Sequence, residues 1–115
     1  MPSAKLIELY PCPKNLVAFE QVFQEEHVPM LTEKLPGKTK IVFTKVFGSI
    51  KDTPAFYWAA EIYFPSMEVL SKCTMSESAK EAMMHATLIS TGGEPIFLIA
   101  QEETVTFDAT SRVAA

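Results

Sequence analysis

No stretch of this chain stays apolar for long. Uninterrupted apolar runs such as Pro95 to Ala100 fall far short of the roughly 20 residues that a membrane-spanning helix needs. Lys5 and Glu8 break any secretory core near the start. Basic charge is also sparse: 10 Lys and Arg stand against 14 Asp and Glu, for a net charge of −4, and the positive residues are scattered singly. That pattern offers no footprint for phosphates or anionic lipid, so neither nucleic acid nor membrane is an expected partner. Only two cysteines are present. Cys12 lies between Pro11 and Pro13 in a connection and Cys73 near a helix boundary, with no paired spacing, so both read as reduced structural thiols of a cytoplasmic protein. The two histidines, His27 and His85, have no carboxylate or cysteine at ligand spacing, so no metal site and no cofactor are expected. Gly92-Gly93 follows a helical pattern instead of opening one and lacks the accompanying Lys and Ser/Thr, so it is not a phosphate loop.

What is present suits one folded domain. Of 115 residues, 48% are hydrophobic and 21% charged, close to the globular norm. Lys5 to Tyr10 is dense in apolar residues and stops at Pro11-Cys12-Pro13, as a strand followed by a turn does. Asn15 can cap a helix whose stripe is Leu16, Phe19, Phe23, His27 and Met30. Pro29 removes a backbone donor within that stripe, which predicts a kink or restart near His27 and an unsatisfied Glu25 carbonyl. Leu35-Pro36-Gly37 ends the helix. Lys40 to Phe47 and Ala55 to Phe64 then read as a hairpin pair of strands around Asp52-Thr53-Pro54. Ser66 starts a short helical turn, and Thr74 with Glu77 fits a capping box for a helix reaching Ile89 along Met75, Ala79, Ala82, Met83 and Ala86. Ile96 to Glu102 is the last strand.

The order is β-α-β-β-α-β, the ferredoxin-like α+β arrangement with a four-stranded antiparallel sheet. Right-handed crossovers place both helices on one face. Strand three has Phe56, Trp58, Ala60, Ile62 and Phe64 on one side and Tyr57, Ala59, Glu61 and Tyr63 on the other. With the first set under the helices, a face carrying Tyr57, Tyr63, Phe97 and Ile99 is left bare, larger than monomers normally expose. A second copy of the sheet is the simplest cover, so a homodimer through the sheet is expected, with Glu61 facing the partner. The domain spans residues 1–104, and 105–115 form a tail or an extension that depends on the dimer.

Taken together, Leu6-Ile7-Glu8-Leu9-Tyr10 before a Pro-bearing turn, Phe19, Glu26-His27-Val28-Pro29-Met30, Leu35-Pro36-Gly37, Ala60-Glu61-Ile62-Tyr63-Phe64 before a Ser-led helix, and Ala86 to Gly93 resemble the EthD family over about residues 4 to 103. That family is named for a component encoded alongside ethyl tert-butyl ether degradation. The resemblance implies the dimeric α+β barrel group. It also implies an enzyme of fungal-pigment or polyketide type, dehydratase- or oxygenase-like. Methylmuconolactone isomerases share the frame and carry a histidine that lines up with His27. Their cysteine falls at Ile62 and their tyrosine at Ile41, departures that set the isomerase reaction apart from this chain.

His27 is therefore the candidate catalytic residue. It is the titratable group on the first helix's apolar stripe, and an imidazole can move protons near neutral pH; a core histidine bonded to a backbone carbonyl is the structural alternative. Phe23, Met30, Ile41, Phe43, Trp58, Ile62, Met83 and His85 are the expected lining of an apolar pocket between sheet and helices. His85 can pair with His27 across that pocket, or simply lie exposed near its helix end. Two functions stay open. One is a cofactor-independent enzyme of catabolism or secondary metabolism, oxidoreductase-, dehydratase- or isomerase-like, acting on an apolar or aromatic ligand. The other is a non-catalytic binding or accessory protein that supports a partner oxygenase.

Overall fold

The computed structural model describes residues 3–108. Four strands form one antiparallel sheet: β1 (Ser3–Pro11), β2 (Lys40–Lys45), β3 (Phe56–Phe64) and β4 (Ile96–Glu102), in the order β2-β3-β1-β4. This is the ferredoxin-like α+β fold. Strict alternation in β1 buries Ala4, Leu6, Glu8 and Tyr10 on the helix side. Antiparallel register then sets the faces of its neighbours: Leu6 lies opposite Ile62 and Ile99, and Glu8 opposite Ala60 and Phe97.

That register corrects the reading of β4. Phe97 is on the helix side and packs against the core there, and Ile99 shares its side of the strand at an exposed edge. The bare face instead carries Ile96, Leu98 and Ala100 beside Ile7, Leu9, Ala59 and Val42. Tyr57 also leaves the bare face: near the irregular end of the β1–β3 pairing, its ring meets Phe19 edge-on and its hydroxyl donates to Glu20 at 2.7 Å. Glu61 does lie on the bare face, paired there with Lys5, which also reaches Glu102 at 3.2 Å. Tyr63 donates to Glu102 at 2.7 Å. Trp58, Ala60, Ile62 and Phe64 lie under the helices, as their alternation requires.

The first helical arm has three parts: α1 (Leu16–Val22), a π-turn (Phe23–His27) and α2 (Val28–Lys34). Asn15 caps it, its side chain accepting from Ala18 N at 3.0 Å. Phe19, Phe23, His27 and Leu31 are all buried at a spacing of four. A regular α-helix of 3.6 residues per turn rotates such a stripe by about 40° at each step. The wider turn, in which Val28 N donates to Phe23 O, returns the stripe to the sheet. Pro29 favours it, because the donor that would complete an α-turn to Glu25 is missing.

The second arm comprises α3 (Met67–Thr74), capped by Ser66, and α4 (Glu77–Ile89), capped by Ser76. Ser76 thus takes the role that Thr74 and Glu77 were expected to share, α3 runs past Leu70 to Thr74, and Met75 is exposed at the junction. Gly37 has φ +88°, the left-handed conformation that ends the first arm. At Gly92 a Cβ would fall 1.8 Å from the Cys12 carbonyl oxygen, so only glycine lets the α4–β4 loop close on the β1–α1 turn. No helix among the described residues is long and apolar enough to cross a membrane. The expected tail at 105–115 lies outside the described residues from 109 onward; Val105 and Phe107 are exposed.

Candidate functional site

A line of hydrogen-bonded side chains runs from the core to a surface groove. At its inner end Glu8 is 1% exposed, and Tyr10 and His27 are fully buried. The Tyr10 hydroxyl donates to Glu8 Oε1 at 2.7 Å and lies 2.9 Å from His27 Nε2, which is itself 3.2 Å from Glu8 Oε1. On its other side His27 Nδ1 lies 3.0 Å from His85 Nδ1, with the two rings 17° from parallel. His85 Nε2 then faces Glu26 Oε1 at 3.3 Å. β1 alternation supplies Glu8 and Tyr10, the π-turn supplies His27 and Glu26, and α4 supplies His85.

Proton counting constrains this line. With Glu8 ionised and the Tyr10 hydrogen directed at it, His27 Nε2 bonds its oxygen neighbours only if it carries a proton. His85 Nε2 needs one to meet the Glu26 carboxylate. One more proton must sit between the two Nδ1 atoms. All contacts are made together when the pair holds three protons on four ring nitrogens, one positive charge between two carboxylates. Burial, with Glu8 close by, pushes the Tyr10 phenol far above its ordinary range, so it stays a neutral donor. A carboxylate this deeply buried needs such partners, because an isolated charge in the core is prohibitively costly.

His85 opens the line to solvent, with 14% of its side chain exposed. It lies in a groove of about 460 Å³ between α1 and α4. Ala18, Phe19, Val22, Leu88 and Ile89 give the groove apolar walls; Glu26 flanks His85, and Lys14, Asn15 and Thr91 close the far end. There the Lys14 backbone N–H donates to Thr91 Oγ1 at 3.2 Å. Among the described residues no three His, Cys, Asp or Glu side chains converge to hold a metal ion.

No protein-family model matches the chain, and no curated protein matches it either. Solved structures do. An ethyl tert-butyl ether degradation (EthD) family protein from Bacillus halodurans is 28% identical over 88% of this chain and 99% of its own, with a TM-score of 0.79. The chain is thus similar in sequence and fold to an EthD family protein. An EthD-like protein from Ralstonia eutropha superposes with a TM-score of 0.66 at 16% identity, over 96% of this chain and 98% of that one. A dimeric ferredoxin-like protein of unknown function from Jannaschia gives 0.60 at 14% identity, over 90% and 100%. The last two share the fold.

In this chain several of the expected pocket residues pack directly on one another, Phe23 meeting His27, Phe43 and Trp58 ring to ring. Phe23 and Ile62 are closed into the core. Ile41, Phe43 and Trp58 pack on that core from the sheet, and Met30 and Met83 are half-buried on the helices. Of the expected lining, His85 alone reaches the α1–α4 groove, and His27 stands behind it. The groove is therefore on the outer side of the helices and not between helices and sheet. Glu8 and Tyr10 were not singled out from the sequence, where their i, i+2 spacing on β1 was the available signal, and Glu26 on His85 required the fold. The Trp58 indole N–H is buried with no hydrogen-bond partner among the described residues.

Proposed function

We propose that this EthD-like chain is a cofactor-independent enzyme of small-molecule catabolism or secondary metabolism, with the His27–His85 pair as its acid and base. The observation that carries the reading is the unbroken hydrogen-bonded line from buried Glu8 to groove-facing His85. Glu26 is 63% exposed, so a ligand in the groove can displace it from His85 Nε2. That nitrogen then gives its proton to the ligand, and the Nδ1 proton settles on His85. The pair is left with two protons: one on His27 Nε2, held by Glu8, and one on His85 Nδ1, held by His27. His85 Nε2 now has a free lone pair and can remove a proton from a second ligand atom. The His–His contact survives both steps, and the net reaction is a proton relocation or an elimination. His27 acts through His85, and Glu8 and Tyr10 hold it in place.

The dimer is part of the proposal. Ile7, Leu9, Ala59, Ile96 and Leu98 form a contiguous apolar set on the bare sheet face, with Glu61 standing between Ile7 and Val42; a second copy covers it. Its similarity to a structure described as dimeric supports this arrangement. Two free thiols, Cys12 and Cys73, suit the reducing cytoplasm.

The complete burial of His27 favours a second reading, a binding or accessory protein in which the pair only orients a ligand. Identifying the ligand retained through purification by native mass spectrometry, then incubating it with protein in D2O, separates the two. The enzyme reading expects deuterium uptake that falls by roughly 10²–10⁴-fold in His85→Asn. Uptake equal in wild type and variant leaves the binding reading.

A further inference from the structure

Which molecules fit the groove follows from where its polar groups stand. The walls between its ends are apolar: Ala18, Val22, Leu88 and Ile89. Polar side chains occur at the two ends, Glu26 and His85 at one, Lys14, Asn15 and Thr91 at the other. Among the described residues Lys14, like Lys38, Lys40 and Lys51, has no carboxylate partner, whereas Lys5, Lys34, Lys45, Lys72 and Lys80 are paired; of the four, Lys14 is the one that lines the groove. His85 to Ile89, the end of α4, spans about 6 Å at helical rise, and Thr91 lies two residues further on in the turn, so the ends are separated by roughly 10 Å. One end thus offers an uncompensated positive charge, and the other a proton donor beside a carboxylate that would repel an anion.

We infer that the groove binds a medium-length apolar carboxylate in one orientation, its anionic group at Lys14 and its far end at His85. An extended body of about eight carbons spans the distance, and 460 Å³ accommodates a bulkier aromatic one as well. A carboxylate placed the other way round would meet Glu26. An uncharged molecule of the same length would fill the walls and leave Lys14 without a counter-charge. The inference rests on the groove being the ligand site but needs no proton transfer, so it can fail while the acid–base reading stands.

The experiment is a backbone-amide NMR titration of the intact protein with octanoate and, separately, octan-1-ol. Octanoate should shift groove amides of α1 and α4 and bind at least 3-fold more tightly than octanol. Lys14→Met should remove that advantage, Lys14→Arg should keep it, and Lys72→Met, a change on exposed α3, should leave it unaltered. Equal affinity for the two probes, an unchanged octanoate affinity in Lys14→Met, or shifts confined to residues away from the groove would each overturn the assignment. Glu26→Gln distinguishes the orientation: it should leave the octanoate affinity and the shifts at Lys14 and Thr91 unchanged, and a gain in affinity of 3-fold or more, as expected of a carboxylate seated beside Glu26, would contradict it.

Discussion

His27 Nδ1 and His85 Nδ1 face each other at 3.0 Å, across the boundary between a sealed core and an open groove. A neutral pair of histidines has too few ring protons to meet Glu8, Glu26 and each other at once. The contact therefore ties the charge state of the groove to a carboxylate that solvent does not reach. In the proposed acid–base reading, this coupling is what lets the buried His27 act at a surface it never touches.

Removing the inner carboxylate should be costly to the fold. Glu8→Leu leaves the Tyr10 hydroxyl and His27 Nε2 with only each other as partners in the core, and breaking a buried pair from one side costs about 3–5 kcal/mol. Glu8→Gln keeps an acceptor oxygen and should cost about 1–3 kcal/mol. Urea denaturation of the two variants tests the order; equal losses would mean that Glu8 is not the acceptor for both groups.

Gly92→Ala should destabilise the protein by about 2 kcal/mol or more, because the added carbon has no room against the Cys12 carbonyl. The Lys14–Thr91 end of the groove should loosen with it. Faster hydrogen exchange at Lys14 N, whose acceptor is Thr91 Oγ1, is the local readout. A melting temperature equal to wild type would show that the two loops are not held in contact.

Association should depend on the bare sheet face. Leu98 is 44% exposed in the isolated chain and lies opposite Ile7 on β1, so Leu98→Glu places a charge within the apolar set and should shift the protein toward monomer. Sedimentation at micromolar concentration checks this. A dimer of undiminished stability would place the interface elsewhere.

Acid should weaken the ion network on that same face. The hydrogen bond from Tyr63, followed by that from Lys5, holds the Glu102 carboxyl below its ordinary value of 4.5. A lowered folded-state value gives stability that is present above pH 4.5 and lost as the pH falls through the folded value. The opposite sign applies to Lys5, raised chiefly by Glu61: its contribution is complete below pH 10.5 and is lost only above it. Thermal melts of wild type and Glu102→Gln should coincide in shape near neutrality and diverge below pH 4.5, where the wild type falls more steeply. Parallel curves through that range would remove Glu102 from the account.

The ferredoxin-like order was legible because each element carries its own punctuation: Pro11 at the end of β1 and Pro13 after it, Asn15 and Ser66 as caps, Leu35-Pro36-Gly37 as a stop. The face of β4 was not. Ile96 through Ala100 is apolar at every position, so alternation is silent, and the pairing of Glu8 with Phe97 decides the side. His27 was visible from its four-residue stripe and the nearby Pro29, and the π-turn is what keeps that stripe facing inward. The groove was invisible because it arises from the spacing of α1 and α4, which no local pattern encodes. Thr74 and Ser76 compete as caps two residues apart, and the choice between them depends on where α3 ends.

The shared proton between the two histidines is the claim on which the functional reading rests. Nitrogen-15 NMR of the ligand-free protein with labelled histidine measures it directly, through scalar coupling across an Nδ1–H–Nδ1 hydrogen bond. The account predicts a coupled pair of Nδ1 resonances, both Nε2 atoms protonated, and loss of the coupling in His85→Asn with the fold retained. Uncoupled Nδ1 signals, with only two protons on the four ring nitrogens, would contradict it.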